Sequence, residues 1–521
     1  MLRAWRNVQG EPLSWTRNEH AEIDESTRAR KARASSAISG EEFQDETSVA
    51  TTGTHPDPDR VVAAAVAQPS SKSVPIFVGE GGYGNILDAA GTVTRRHFFI
   101  PAETEKALDL EDLAYLKAKG CFSLPSNSDE LVRSYFRFVH PSFPVLDGPS
   151  FLRDYAAGGT SKLNLLLLWS MFSVAASYVP GCSQKIIKES FVQRAKLLFD
   201  LSHENDKLVL VQSTLLLSFW FAEAEDTKQS WYWSGIAFSI GQTLGLHRDL
   251  KPGPEPNFVQ RRSLWRNLWR CCMLRDVWLA FGMGRPLRIN KADCTCPVRP
   301  TSDYQFRNIT VEGEDLYTVK EVSEFLIMWQ QSVAITDILR EFLTSKRIDA
   351  SGWTNVLQDE MGLRGREEAT LQIKVVSRHL QLHRHAASIA LYQARGDEEK
   401  VQGAAEGTTS VVEIFLADAT TAYVAPFTIP LLVPAILTYV KKSPSEKPRE
   451  GALGTYQQFL GALEDNYPAA SILKRLLAAQ QSVSANNPAA TSEQSDWPSA
   501  LSPPTWFTGF STPAGLMDIE H

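Results

Sequence analysis

WYWSGIAFSIGQTLGLHRD, residues 231–249, is the stretch that decides the fold. Aromatic and aliphatic side chains recur in it at spacings of three and four residues, which is the period of a helix face buried in a core. Ala237, Gly241 and Gly245 follow one another at four-residue intervals, so their small side chains share one face and a second helix can approach closely. The stretch therefore predicts a central helix, packed by other helices, that ends in a His-Arg-Asp turn.

The same helical periodicity continues on both sides of this stretch, and strand-like alternation of apolar and polar residues is scarce. The apolar-periodic segments lie at about 161–179, 186–202, 207–223, 229–246, 258–281, 317–345, 366–395, 407–442 and 451–481. We therefore expect an all-α fold, a large multi-helix body over residues of about 105–480 with disordered N- and C-terminal segments.

Composition divides the chain into four segments. Residues 1–75 are polar and charged and are predicted to be disordered, residues 76–300 hold the densest motifs, residues 301–482 continue the helical body, and the Ser- and Pro-rich residues 483–521 cannot build a core. A basic cluster in the first segment is either a nuclear-import or phosphate-contacting element or a solvated charge run. Its residues are Arg28, Arg30, Lys31 and Arg33.

Charge and hydropathy exclude two classes of protein. The formal net charge of −7 argues against nucleic-acid binding by the chain as a whole, because phosphate contact needs concentrated lysine and arginine. The apolar run at 163–179 contains Asn164 and three serines, and the run at 423–440 contains three prolines, so neither resembles a membrane-spanning helix. We expect no membrane association.

A protein kinase is the strongest enzyme hypothesis that the motifs suggest. Residues 247–250 read His-Arg-Asp-Leu, like the start of a kinase catalytic loop, and residues 79–84 are rich in glycine. The position five residues after Asp249 is Pro254 where a kinase needs asparagine, and the Asp-Phe-Gly motif is missing. The kinase interpretation is therefore rejected.

Metal and hydrolase motifs are incomplete as well. His379, His383 and His385 form a cluster, but Leu380 stands where a zinc protease would carry glutamate, so we interpret them as exposed or capping histidines. The pairs Cys271-Cys272 and Cys294-x-Cys296 lack zinc-binding spacing, and no Gly-x-Ser-x-Gly motif occurs. We predict that the chain is not an enzyme, with no catalytic, metal-binding or cofactor-binding residue and no cofactor of its own.

Several strings in order resemble one family. VHPSFPVLD at 139–147, the central stretch, RRSLWR at 261–266 and GMGRPLRI at 282–289 are similar to the fungal-specific transcription factor domain, also called the xylanolytic-activator regulatory domain, and RHFFI at 96–100 resembles its cutinase-gene regulator branch. The residues that match the family's structural signature are His140, Pro141, Gly245, His247, Arg261, Arg262, Trp265, Gly284, Arg285 and Pro286.

This resemblance implies a nuclear regulator with pathway- or gene-cluster-specific control of RNA polymerase II transcription. In such a protein a helical body restrains an activation tail, responds to an unknown small-molecule inducer and supports a homodimer. The acidic and aromatic tail, with Trp506 and Phe507, suits a segment that binds coactivators; the alternative is a terminus without function. The alternative is a ligand-responsive or dimerising partner of a complete zinc-cluster factor, without DNA contact of its own.

The chain departs from the family at the DNA reader. The family's binuclear zinc cluster needs six cysteines that begin Cys-x2-Cys-x6-Cys, whereas the first cysteine in this sequence is Cys121. Either an upstream exon encodes the cluster, in which case zinc is a cofactor, or the protein acts without it. By resemblance DNA is a partner, but we expect this chain alone to bind it weakly.

The end of the long helix and a set of aromatic residues each have a structural and a functional interpretation. Gly284-Arg285-Pro286 is predicted to end the long helix that starts near residue 258, with Arg285 either capping carbonyl groups, pairing with a carboxylate of a neighbouring helix, or anchoring an anionic inducer. A second set of aromatic residues either lines an inducer cavity or belongs to the core. These are Trp220, Phe221, Trp231, Trp233, Trp265 and Trp269.

Overall fold

The computed structural model describes residues 73–79, 96–101, 109–157, 164–202, 204–220, 229–251, 258–297, 310–311, 314–345, 369–441 and 447–486. The predicted disordered segments, 1–75 and 483–521, lie outside the described residues except at their inner ends. The basic cluster at 28–33 and the aromatic tail also lie outside them.

Fourteen α-helices account for most of the described ranges, which confirms the all-α prediction. They are α1 (Leu110–Ala118), α2 (Ser128–Ser134), α3 (Gly148–Ala156), α4 (Leu165–Ala175), α5 (Lys185–Asp200), α6 (Lys207–Leu217), α7 (Ser230–Thr243), α8 (Phe258–Met283), α9 (Val319–Ser345), α10 (Leu371–Gln393), α11 (Glu398–Ala417), α12 (Thr428–Val440), α13 (Lys447–Leu463) and α14 (Pro468–Asn486). A π-helical turn, Tyr135–Val139, extends α2.

The strands form two antiparallel hairpins. β1 (Ser73–Phe77) pairs with β2 (His97–Pro101) so that Phe77 lies opposite His97, and β3 (Thr310–Val311) pairs with β4 (Glu314–Asp315). The first hairpin packs on the end of the central helix, as described below, and is therefore part of the folded body.

The central helix α7 packs closely against α8 because small residues, Ala237 and Gly241, lie on its inner face. Trp233, Ala237 and Gly241 are buried, and a Cβ atom at Gly241 would lie 3.4 Å from the ring of Trp269 in α8. The predicted small-residue face is therefore the contact with the next helix. A continuous core of buried apolar residues runs from Leu116 to Leu477, which explains why the periodicity persists over the whole body.

No helix in these described ranges combines the length and the apolar character that crossing a membrane requires.

Helix α8 ends at the predicted turn. Gly284 adopts φ +62°, and the amide of Arg285 donates a hydrogen bond to the carbonyl of Ala280 at 3.1 Å. A residue with a positive φ, followed by a hydrogen bond from the next amide to the carbonyl five residues earlier, is a Schellman motif. Glycine avoids the steric cost of a Cβ atom in this conformation. Pro286 lacks the amide hydrogen needed to continue the helix. The sequence therefore located this helix end correctly.

Gly284→Ala should lower the free energy of unfolding by about 1–2 kcal/mol, because an L-residue is strained in the left-handed region. The measurement is urea unfolding followed by far-ultraviolet circular dichroism. Gly403→Ala is the matched control: Gly403 is exposed in the interior of α11 with no atom within 4 Å of the added methyl group. It should stabilise the protein by up to about 1 kcal/mol. Equal effects of the two substitutions would contradict the assignment.

Candidate functional site: the Asp249 cluster and the central cavity

Asp249, in the turn after α7, is held by two arginines of α8. Arg262 and Arg266 lie one helical turn apart, and each directs Nε and Nη2 to the carboxylate, with distances of 2.7 Å and 2.6 Å for Arg266. Burial alone would raise the pKa of Asp249, but the hydrogen bonds from Arg266 and Arg262 outweigh it and hold the pKa at about 2. The aspartate that resembles a kinase base is therefore a permanently charged structural acceptor.

Backbone bonds close the same turn against the segment that follows α8. The amide of Asp249 donates to Thr295 Oγ1 at 3.0 Å, and the amides of Thr295 and Cys296 donate to the carbonyl of His247 at 2.9 Å and 3.2 Å. Arg270 adds bonds from Nε and Nη2 to the carbonyl of Pro297. The turn, the first half of α8 and residues 295–297 are therefore fixed to one another.

The β1–β2 hairpin docks on this turn at Gly245. Gly245 adopts φ +74°, and a Cβ atom there would lie 2.6 Å from Phe77 Cβ and from His97 Nε2. His97 donates from Nε2 to the carbonyl of Gly245 at 3.0 Å, and burial lowers the pKa of His97 so that the ring stays neutral. The ring of Phe77 lies 5.1 Å from that of His247, and the ring of His97 lies 5.7 Å from that of Trp265. Residue 245 must therefore be glycine, because a Cβ atom would collide with the side chains of Phe77 and His97. The sequence did not reveal this contact.

The signature residues outside this cluster are placed separately. His140 is fully buried after the π-helical turn, where its amide bonds to the carbonyl of Tyr135 and its ring lies 5.1 Å from that of Phe136. Pro141 borders the central cavity described below, and Arg261 lies half-buried on α8 next to Arg262. The signature residues therefore lie in three regions, which are the π-helical turn, the Asp249 cluster and the end of α8.

The exit from α8 holds a buried carboxylate. Asp276 accepts hydrogen bonds from the amides of Arg288 and Ile289, at 3.0 Å and 2.9 Å, and from Arg288 Nε at 3.4 Å. Arg288 also donates to the carbonyl of Trp231 and to Ser234 Oγ, both at 2.7 Å, with its guanidinium 3.7 Å from the Trp231 ring centre. Burial raises the pKa of Asp276, and the amide bonds oppose that rise.

One of the roles predicted for Arg285, pairing with a carboxylate, is filled by Arg288. Arg285 is exposed, with its guanidinium 5.0 Å from the centre of the Trp231 ring. The carboxylate pair in this turn is made instead by Arg288, and the carboxylate comes from α8 itself and not from a neighbouring helix. Sequence reasoning missed Arg288 and Asp276 as partners because the turn, and not a helical spacing, brings them together.

A small central cavity lies between α8, α9 and α10. Its volume is about 30 Å³, which is room for about two water molecules and far below the several hundred Å³ of a usual small-molecule site. Aromatic and cationic side chains line it: Phe143, Phe219, Arg275, Trp278, Trp329, His379, His383 and Phe427 are among them. In this state the cavity does not accommodate a ligand of ordinary size.

Two of the three clustered histidines of α10 line this cavity, so the alternative that they are exposed is wrong; the third, His385, is half-buried beside Gly407. His379 and His383 are buried, His379 Nε2 accepts a hydrogen bond from the amide of Ala425 at 2.9 Å, and His383 Nδ1 donates to the carbonyl of His379 at 2.8 Å. Burial lowers the pKa of His379 to about 3 and that of His383 to about 4, so both rings are neutral. Within the described ranges, no three His, Cys, Asp or Glu residues are grouped to bind a metal.

Most of the tryptophans proposed as cavity residues belong to the core. Trp233, Trp265 and Trp269 are buried, and Trp231 lies beneath Arg288. Trp220 borders a second cavity, considered below, and Phe221 lies outside the described residues.

Asp249→Asn should lower the free energy of unfolding by about 2 kcal/mol, because the pair is partly exposed and lies between the values for surface and buried pairs. The folded-state pKa of about 2 is below the ordinary 3.8, so this stabilisation is present above about pH 4 and is lost as the pH falls towards 2. Thermal unfolding at pH 7 and at several acidic pH values measures both effects.

Glu341→Gln is the control, since Glu341 is 56% exposed and pairs with a half-exposed Lys291. It should change stability by less than about 0.5 kcal/mol. An Asp249→Asn protein as stable as this control would show that the cluster does not hold the turn.

Arg288→Ala should destabilise the protein by about 3 kcal/mol, because it leaves the carboxylate of Asp276 buried without its cation. Arg285→Ala removes only an exposed contact with the same ring and should cost about 0.5–1 kcal/mol. Urea unfolding midpoints of the two variants decide the comparison. A larger loss for Arg285→Ala would restore Arg285 as the anchor of the turn.

Comparison with known proteins identifies one domain model and several relatives to which this chain is similar. Residues 132–380 match the model of the fungal specific transcription factor domain. Cutinase transcription factor 1 beta of Fusarium vanettenii is 35% identical over 223 residues, which cover 40% of this chain and 24% of the relative. Cutinase transcription factor 1 alpha of the same organism is 29% identical over 249 residues, 44% of this chain and 27% of the relative.

An acetamidase regulatory protein of Aspergillus fumigatus is 27% identical over 305 residues, 56% of this chain and 39% of the relative. The matches thus span between a quarter and two fifths of these relatives' own length. The relatives are named as transcription factors and regulatory proteins, which supports the prediction that the chain is not an enzyme. Residues 132–380, just under half of the chain, thus match the fungal-specific transcription factor domain, and the relatives that share this region include the cutinase transcription factors.

Proposed function

We propose that this chain is the regulatory domain of a nuclear fungal regulator that controls RNA polymerase II transcription of a pathway or gene cluster. One observation carries the proposal: the family match at 132–380 contains the Asp249 cluster, where the family's central motif and its Arg-Arg helix meet. The relatives' names place such domains in regulators of transcription. The helical body is therefore the part that controls, and another element reads DNA.

The cysteines support a separate DNA reader. All six lie between residues 121 and 296, five of them are buried, and Cys294 is half-buried. Burial raises the pKa of Cys121 and raises that of Cys296 to about 11, whereas zinc binds the thiolate. In this proposal none of them binds zinc. The DNA reader is either a zinc cluster supplied outside these 521 residues or a complete zinc-cluster factor with which this chain associates.

The remaining partners follow from the family alone. We include in the proposal a homodimer formed through the helical body and coactivators that bind the tail, of which residues 487–521 lie outside the described ranges. An acidic, aromatic tail suits coactivator binding because its aromatic side chains dock while its charges keep it solvated.

A tethering experiment tests this function. The full chain is fused to a bacterial repressor's DNA-binding domain and expressed in yeast with a reporter whose promoter has basal activity, so that activation and repression are both visible. We expect a several-fold change in reporter transcript with the fusion and none with the untethered chain, which is acidic and has no zinc-cluster cysteines.

Two controls sharpen the result. A fusion without residues 483–521 should lose much of the effect, and Trp506→Ala with Phe507→Ala should reproduce that loss. A tethered chain that leaves the reporter unchanged with and without the tail contradicts the proposal. A response from the untethered chain would instead show that it recognises DNA itself.

A further inference from the structure

A second cavity lies where the family domain meets the C-terminal helices. Its volume is about 40 Å³, and it lies between α4, α5, the end of α6 and the turn from α13 to α14. The walls are largely apolar and aromatic, and the polar side chains in them are two serines, one asparagine and one lysine. The lining includes Val174, Lys188, Phe219, Trp220, Tyr467 and Ala469.

Lys188 brings a cation into this cavity without a carboxylate. Its side chain is in a residue only 4% exposed, and Nζ donates to the carbonyl of Asn466 at 2.5 Å and lies 4.6 Å from the centre of the Tyr467 ring. An ammonium group has three donors, and among the described residues that carbonyl is its only hydrogen-bond acceptor. Because a buried charge is costly without a counter-charge, burial lowers the pKa of Lys188 to about 8.

Several cations of the described body are compensated differently, although the buried Arg270, like Lys188, is held by a backbone carbonyl, that of Pro297. Arg378 and the partly buried Arg288 each pair with a carboxylate, and Arg275 donates to the carbonyl and hydroxyl of Ser218, which caps the C-terminus of α6. A helix C-terminus carries partial negative charge and so suits a cation. Lys188 pairs with no carboxylate among the described residues: its acceptor, the carbonyl of Asn466, lies in the turn between the C-terminus of α13 and the N-terminus of α14, and this second terminus also lines the cavity.

That terminus is the first turn of α14, a helix of 19 residues, whose Pro468 and Ala469 line the cavity. A helix N-terminus carries partial positive charge and favours an anion. The ammonium group and this helix terminus therefore both contribute positive potential to one largely aromatic space. None of the described residues that line the space carries a negative charge.

We propose that this cavity binds a small organic monocarboxylate, with the carboxylate on Lys188 Nζ and the short apolar part against Phe219 and Trp220. The space holds about three water molecules, so the ligand has the size of acetate or propionate. A longer acid would require Phe219, which also lines the central cavity, to move.

The position of the cavity gives this ligand a regulatory role, a conclusion that rests on the proposed function. Lys188 and Trp220 lie inside the matched residues 132–380, whereas Asn466 and Ala469 lie beyond them. A bound carboxylate would therefore strengthen the contact between the family domain and the helices that lead to the tail. The binding itself does not depend on transcriptional function, so a binding assay and the reporter assay fail independently.

Thermal unfolding of the full chain with propionate tests the site, and propionamide is the neutral molecule of nearly the same shape. We expect the melting temperature to rise with propionate in the millimolar range and to saturate, as selective binding to the native state requires. Propionamide, and sodium chloride at equal ionic strength, should give no saturable rise. Isothermal calorimetry with the same solutions checks the stoichiometry of one.

Lys188→Met keeps an unbranched side chain that is one atom shorter and removes the charge, so the variant should fold at least as stably as the natural chain and should lose the response to propionate. Lys185→Met makes the same change one turn earlier on α5, away from the cavity lining, and should keep the response. A response that survives Lys188→Met, or an equal response to propionamide, overturns the proposal. So does the absence of any response in the natural chain.

A measurement on the natural chain remains decisive if Lys188→Met does not fold. Tyr467 is the other titratable side chain in the cavity lining, and burial raises its pKa well above the ordinary value. Propionate affinity should therefore fall as the pH rises above the pKa of the Lys188 ammonium group in the complex. Affinity that is unchanged between pH 7 and pH 10 would rule out the ammonium as the anchor.

Discussion

The bidentate contacts of Arg262 and Arg266 with Asp249 are the interaction on which the rest of the described body depends. The aspartate lies in the turn after the central helix, and the arginines lie one turn apart near the start of the 26-residue helix α8, so the cluster joins α7 to α8. The segments that bond to this turn depend on the same cluster. The hairpin docks on Gly245, and residues 295–297 return to His247 and Arg270.

Charges inside this body specify geometry more than they add stability. A buried ion pair gains little over an apolar contact, because both groups lose their hydration, but breaking one is costly. Asp276 with Arg288 therefore selects one path for the chain after α8, since other paths would leave a buried carboxylate unpaired. Lys188 has a backbone carbonyl and no described carboxylate as its partner, and this charge is what makes its cavity a candidate site.

Sequence predicted the features that depend on local spacing. The all-α body, the small face of α7 and the end of α8 at Gly284 follow from periodicity and from the backbone limits of glycine and proline. Contacts between distant segments were missed. His379 and His383 appeared to be surface histidines because nothing near them in sequence shows that Ala425 and Trp278 cover them, and the docking of Phe77 and His97 on Gly245 joins residues about 150 positions apart.

The helices beyond the family match complete the core of the helices within it. His379 accepts from the amide of Ala425, and Tyr467 donates to the carbonyl of Val424 at 2.7 Å, so the segment before α12 is held from both sides. The ring of Phe138 lies 4.8 Å from that of Tyr423, which ties the same segment to the π-helical turn near His140. Because packed interiors deform little without repacking, a shift of α14 would reach the matched domain both through residues 423–427 and through the contact of Lys188 with Asn466. A ligand at the Lys188 cavity acts on that connection, since the carbonyl of Asn466 that holds Lys188 directly precedes Tyr467.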